Sequence, residues 1–258
     1  MKKKGGQFLS GHQRSWVWGR NPVLEIIRMG TWPVRECYFS DTLSSNEYPD
    51  LSEKLQTWGI IPAYVSADRL KTLCGTTEHQ GMLLRMGPFP YARWEEIHPN
   101  TVQSPLYLVL DRIQDAHNFG AIIRSAASLG ASAVIVGESR QAPVNSQVVR
   151  ASAGAVMHLP LVQVSDCLQQ ARQMKEQGIS LIATALNAEK AVWECSFKRP
   201  VGLILGNEAE GVDRALLELC DESCKIPQSS GIDSLNVAAA AAAILYESWR
   251  QKNIDTRV

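Results

Sequence analysis

Between residues 106 and 227, six short apolar runs alternate with polar, helix-forming stretches, and few folds satisfy that alternation. The runs are LYLVLD (106–111), SAVIVG (132–137), HLPLVQV (158–164), SLIATAL (180–186), VGLILG (201–206) and CKIP (224–227). They are apolar almost throughout, without the polar alternation of a half-exposed strand, which predicts strands buried on both faces. The stretches between them, with DCLQQARQMKEQ and the final SLNVAAAAAAILYESWRQK the clearest, supply helices for both sides of a parallel sheet. Ligands of such α/β sheets bind in the loops beyond the carboxyl ends of the strands. Chemistry is therefore expected in three of those loops.

The first third of the chain alternates on a smaller scale. SWVWG reads as a strand, and Asn21-Pro22 as an N-cap and first helical position ahead of VLEIIRM, with Gly30 as its stop. VRECYF, PAYVS and QGMLLRM read as further strands, LSEKLQTW and ADRLKTLC as helices closed by Gly59 and Gly75. GPFPYARWEEIHPNTVQSP (87–105) has four prolines and no period, the mark of a linker. The expected organisation is a small α/β domain over 1–86, a linker over 87–105 and a larger α/β domain over 106–258.

Composition limits what such a chain does. Apolar content of 45% and charged content of 20% are those of a soluble globular protein, and a net charge of zero announces no global attraction to a polyanion. Residues 1–35, however, carry seven Lys/Arg against Glu25 alone, which suits either a solvated tail or an arm reaching for a polyanion. MKKKGGQ imitates the start of a signal peptide, but FLSGHQRSW follows where an apolar core would be needed. The longest apolar run, VAAAAAAIL (237–245), is too short to span a bilayer, so a cytoplasmic protein without membrane segments is expected. The six cysteines form no redox or zinc spacing and the five histidines are isolated, so no metal is expected.

The first loop, RIQDAHNFG, opens a helix in which Asn118 is a candidate cap and Gly120 allows close backbone approach. Arg124 is the only long charge in that helix. Its neighbours at three and four residues are Gly120, Ala121, Ala127 and Ser128. Such clearance fits a guanidinium fork gripping a phosphate, and equally a salt bridge at an interface. The second loop, LILGNEAEGVDRALL, lacks GxGxxG and fails GxxxxGK[ST], because Val212-Asp213 follow Gly211. Its Glu208 and Glu210 make it a poor phosphate cradle and a better partner for a cation or a hydroxyl. The third, KIPQSSGIDSLNV, brings polar residues to the last helix, with Asp233 or Ser234 as cap and Asn236 in the first turn.

Taken in order, N-x-G-x-x-x-R (Asn118, Gly120, Arg124), L-G-N-E-x-x-G (Leu205, Gly206, Asn207, Glu208, Gly211) and I-P…S-L-N-V (Ile226, Pro227, Ser234, Leu235, Asn236, Val237) resemble the SpoU/TrmH family. These are RNA 2′-O-ribose methyltransferases of the SPOUT class. VWGRNPVLEII and HQGMLL in the first third are similar to the small substrate-binding domain of many members. The resemblance implies an α/β trefoil knot, a homodimer and S-adenosylmethionine as donor. It places the cofactor near Thr184, Ala185, Leu205, Gly206, Asn207, Gly211, Ile226 and Leu235. Arg124 becomes the central catalytic residue, and Asn118, Glu208, Ser234 and Asn236 position it and the ribose. One departure is that Ala238 and Ala239 follow Val237 where serine and valine are common. A guanosine of large-subunit rRNA is the implied substrate, with tRNA the second. Competing readings are a catalytically silent RNA-binding protein of this fold, an ordinary open-sheet methyltransferase or dehydrogenase, and a resistance or assembly factor. LDRIQDAHNFG and VIVGESR suit the open-sheet enzymes badly.

Overall fold

The structure, a computed structural model, describes residues 16–43, 48–97, 104–229 and 234–254. The chain forms two compact units. One holds the chain through Pro90 together with Val144–Met157, and the other holds Tyr91–Pro143 and the chain from His158 onward.

The first unit is built on a four-stranded sheet in the order β1-β4-β2-β3, with β1 Trp16–Trp18, β2 Val34–Ser40, β3 Ala63–Val65 and β4 Met82–Met86. β4 runs antiparallel to both neighbours, and β2 and β3 are parallel. Helix α1 (Arg20–Met29) buries Val23, Ile26 and Ile27. Its cap is Gly19 at φ 99°, not Asn21, because the Gly19 carbonyl already accepts from Val23 and the Arg20 N–H is taken by Gln80 Oε1 at 2.9 Å. Pro22 is tolerated at the third helical position, where no N–H is owed to the helix. α2 (Pro49–Thr57) and α3 (Ala67–Cys74) complete this part, and Gly30 and Gly75 end α1 and α3 in the left-handed region.

Two segments lie differently from the sequence expectation. Val144–Met157 falls between two strands of the larger domain, yet it groups with the first unit. Its short helix α5 (Ser146–Ala151) packs on β1 and α1, burying Val148 and Val149. The later part of the proline-rich stretch is packed rather than free. Ala92 bridges to Val162 in parallel fashion, and Trp94 is 7% exposed in a 3-10 turn. The Trp94 ring meets Tyr107 edge-on at 5.0 Å, and its N–H donates to Gln177 Oε1 at 3.1 Å.

The second unit carries a seven-stranded, wholly parallel sheet in the order β7-β6-β5-β10-β8-β11-β9. These strands are β5 Leu106–Leu110, β6 Ala133–Gly137, β7 Leu161–Val164, β8 Ser180–Thr184, β9 Lys190–Ala191, β10 Val201–Leu205 and β11 Glu222–Lys225. Five of the six expected runs contain strands, and the sixth, CKIP, holds only the last two residues of β11; the two-residue β9 is additional. Helices α4 (Ala116–Ser128), α6 (Cys167–Glu176), α7 (Arg214–Leu219) and α8 (Val237–Asn253) cover the sheet. Every residue of β5 and β10 is buried, as uninterrupted apolarity requires. The chain steps outward from β5 to β6 and β7, then returns on the far side of β5. The order therefore reverses between β5 and β10, the place where open α/β sheets leave a crevice for ligands.

Trp94→Ala is expected to lower the unfolding free energy by about 3–5 kcal/mol, the range for a buried large aromatic. Ile61→Ala, at a side chain 87% exposed, should stay within about 0.5 kcal/mol. Urea unfolding of the intact chain measures both.

Candidate functional site

The three loops converge at the carboxyl ends of β5, β10 and β11. Beyond β5, the buried Asp111 carboxylate accepts from the Asp213 N–H at 2.7 Å, tying this loop to the start of α7. Helix α4 then begins with Asp115, whose side chain accepts from the Asn118 N–H at 2.8 Å. Asp115 is thus the cap expected of Asn118. Both residue types suit the role, and the helix starts one turn earlier. This leaves the Asn118 carboxamide for its neighbours. Its Nδ2 donates to Glu208 Oε1 at 2.6 Å, and its Oδ1 accepts from Asn236 Nδ2 at 2.9 Å. A carboxylate only accepts, so the Glu208 side fixes which way the Asn118 amide faces.

Asn236 is likewise the cap of α8 and not a member of its first turn. Its Oδ1 accepts from Ala238 and Ala239 N–H at 2.9 and 3.3 Å. Of the two residues expected to cap, Ser234 is exposed and Asp233 lies outside the described residues. One chain of hydrogen bonds, Glu208–Asn118–Asn236, therefore joins residues 90 and 118 positions apart.

The second loop is stiffened from within. Asn207 and Gly211 exchange backbone hydrogen bonds at 3.1 and 2.8 Å, and Asn207 Oδ1 accepts from Ala209 and Glu210 N–H. A Cβ on Gly206 would lie 2.1 Å from Gly211 C and from Val212 N, so only glycine lets the turn fold back onto the strand end. Glu210, expected to make this loop acidic, is met by Arg112 and, at 3.2 Å, by Arg140. Glu208 alone keeps its carboxylate for the Asn118 side.

Against this turn lies a cavity of about 550 Å³. Thr184, Ala185, Gly206, Asn207, Gly211, Ile226 and Leu235 line it, as do Glu208, Ser234 and Asn236. Leu205 does not; it is 1% exposed and belongs to the sheet core. The Asn207 side chain is spent on the turn itself, so that residue offers the cavity its main chain. Asn118 and Arg124 are not among the lining residues. Asn118 reaches the cavity's Glu208 and Asn236 through its hydrogen bonds. Arg124 stands exposed on α4 and forms no hydrogen bond or ion pair with another described residue.

Sequence reading missed several apolar walls: Leu186, Val212 and Leu217, with Val237, Ala240 and Ile244 of α8. The α8 set has a readable signal, since positions 237, 240 and 244 share one helical face. Cys224 also lines the cavity, but burial pushes its thiol up to about 12, which removes it as a nucleophile near neutral pH. Among the described residues, no group of three or more His, Cys, Asp or Glu could hold a metal ion.

Gly206→Ala is expected to displace the 207–211 turn, because the contacts it creates are with backbone. Faster limited proteolysis in that turn and a lowered thermal midpoint would show it.

The SpoU rRNA Methylase family pattern matches residues 105–246, and the pattern for RNA 2′-O ribose methyltransferase substrate binding matches residues 16–92. A 23S rRNA (guanosine-2′-O-)-methyltransferase RlmB of Xanthomonas axonopodis pv. citri is 33% identical, covering 93% of this chain and 98% of the relative. The SpoU methyltransferase AviRb of Streptomyces viridochromogenes, solved in complex with the cofactor AdoMet, superposes with a TM-score of 0.76. It shares 30% identity over 92% of this chain and 90% of its own. The TrmH/SpoU tRNA modifying enzyme of A. aeolicus reaches a TM-score of 0.53 at 29% identity, over 58% of this chain and 76% of its own. With its α/β SPOUT fold and both sequence patterns in place, the chain belongs to the SpoU rRNA methylase family.

Proposed function

We propose that this protein transfers the methyl group of S-adenosylmethionine to the ribose 2′-hydroxyl of a guanosine in large-subunit rRNA. One observation carries the reading. The Glu208–Asn118–Asn236 chain puts polar groups from three loops at the edge of a cavity with largely apolar and main-chain walls. The cavity volume lies within the range of about 300–1,000 Å³ usual for cofactor sites. Its glycine turn and its Ile226 and Leu235 walls suit an adenosine held by backbone groups and dry surfaces. When bound, the cofactor supplies an electrophilic methyl on a sulfonium.

The chain's own residues then have to place the ribose and ease its proton away, since an alcohol is a weak nucleophile at neutral pH. Asn118 and Asn236 offer carboxamides, and Glu208 a carboxylate, to the sugar. Arg124, about 9 Å along the helix from Asn118 at 1.5 Å per residue, is exposed and free to meet a phosphate. A guanidinium does not deprotonate in proteins, so Arg124 acts as a charge. Its fork holds the phosphate next to the reacting ribose and lowers the pKa of the hydroxyl, whose proton passes to that phosphate or to water. Ser234, on the cavity lining, completes the set around the ribose.

The rRNA assignment draws on the two-part match. The RlmB relative aligns with 93% of the chain, the tRNA-modifying relative with 58%. The protein acts as a homodimer in this reading, because α8 presents Tyr246 and Trp249 to the outside, 52% and 36% exposed and stacked at 6.0 Å. No helix among the described residues is long and apolar enough to cross a membrane, and a cytoplasmic location follows from the ribosomal substrate.

Arg124→Lys keeps the charge but loses the fork, and is expected to slow single-turnover methylation by about 10²-fold, the scale of a misplaced reactant. Cofactor affinity, read by calorimetry, should be unchanged. A transfer rate near that of the unaltered protein would end the clamp role. Mapping ribose methylation across rRNA and tRNA in a deletion strain, with and without the restored gene, tests the substrate; a lost mark in tRNA alone would overturn the rRNA assignment.

A further inference from the structure

Arg112 is the second residue after β5, and its backbone lies in the left-handed region at φ 63°, which residues other than glycine seldom adopt. Its side chain is only 15% exposed. Nε and Nη2 each donate at 2.9 Å to the two oxygens of Asp111. Nη1 donates to the Glu210 carboxylate, and Nη2 also reaches the Gly211 carbonyl at 3.2 Å. The Arg112 carbonyl in turn accepts from Asn207 Nδ2 at 2.9 Å. None of these contacts completes β5 or starts α4, which Asp115 caps. All of those beyond Asp111 end on the turn that walls the cavity.

An exposed ion pair would carry little weight. Here the guanidinium is largely enclosed, forks onto a buried carboxylate and reaches main chain as well as a side chain. We propose that Arg112 is a positioning residue for the methyl donor: it locks the Asn207–Gly211 turn into the shape that S-adenosylmethionine binds. This rests on the cavity being the donor site. Arg140 adds a second, more exposed hold on Glu210.

Arg112→Gly tests this cleanly, because glycine suits the left-handed backbone while the fork is lost. In the full-length protein, the Kd for S-adenosylmethionine measured by calorimetry should rise about tenfold, equivalent to one well-made polar contact. The KM for the donor should rise in parallel while kcat at saturating donor stays within about twofold, the signature of lost donor binding. The thermal midpoint should fall by several degrees, because the buried Asp111 carboxylate loses its pair, so binding is read well below the transition. Arg112→Lys, retaining the charge, should recover part of the affinity. Glu210→Gln, at an exposed side chain on the cavity lining, should weaken binding in the same direction, and the double variant should lose less than the sum of the two, since the pair shares one contact.

Leu235→Asp, in the cavity wall, separates the two layers of the reading. If it abolishes donor binding while Arg112→Gly and Glu210→Gln bind as tightly as the unaltered protein, the cavity stands and the positioning role falls. If all three bind normally, the donor site lies elsewhere and both fall. A drop in kcat with KM unchanged would also overturn the role. Should Arg112→Gly fail to fold, Arg112→Lys decides the matter: donor affinity equal to that of the unaltered protein would overturn the role, because Glu210 itself lines the cavity.

Discussion

The Asp111 N–H donates to the Leu205 carbonyl at 2.8 Å, and the rest of the site depends on the pairing that this bond completes. β5 and β10 are distant in sequence but adjacent in the sheet, in register from Leu106–Val201 to Leu110–Leu205. That register delivers Asp111 and Gly206 to the same level, side by side, with nothing but loop beyond them. A carboxylate buried there is costly unless it is paired and hydrogen-bonded. The Asp213 N–H and the Arg112 fork meet that demand. The charge at one strand end thus organises the loop leaving the other.

What stays exposed is as informative as what is buried. Arg112 is spent on the protein's own carboxylates, whereas Arg124, on the next helix, stands exposed without a described partner. An exposed guanidinium costs the fold little and gains little from it. In the proposed reading its worth appears when an RNA phosphate closes over it and excludes water, where the same charge acts through a lower dielectric. Two arginines twelve positions apart thus differ: one is enclosed by the turn it ties, the other is left to solvent.

The sheet was legible because its signal is local in sequence: six apolar runs, of which those at the centre of the sheet are buried on both faces, while β7 and β11 are only partly covered. The convergence of Asn118, Glu208 and Asn236 was legible only by likeness to a family, since no local pattern brings residues from three loops together. The caps were misplaced by a few residues for a plain reason. DAHN and DSLN each offer two or more good capping side chains within one turn, and the choice falls to tertiary contacts that sequence does not print. Trp94 and Val144–Met157 were missed for a related reason. Proline content reads as a linker and chain order as membership of the larger domain, but a buried indole and a pair of buried valines outweigh them. Two-residue β9 and the clasp at Glu210 carry no periodicity at all.

Asn236 faces two ways. Its oxygen ends α8, and its nitrogen anchors the polar chain that runs through Asn118 to Glu208. Aspartate or serine would serve the helix end as well, but neither can give an N–H on the opposite side while accepting on the first; a carboxamide does both with one planar group. A single rotamer change would therefore loosen the start of the last helix and break the bond to Asn118 in the same instant. The start of the helix and the tie between the loops are mechanically one event at this residue.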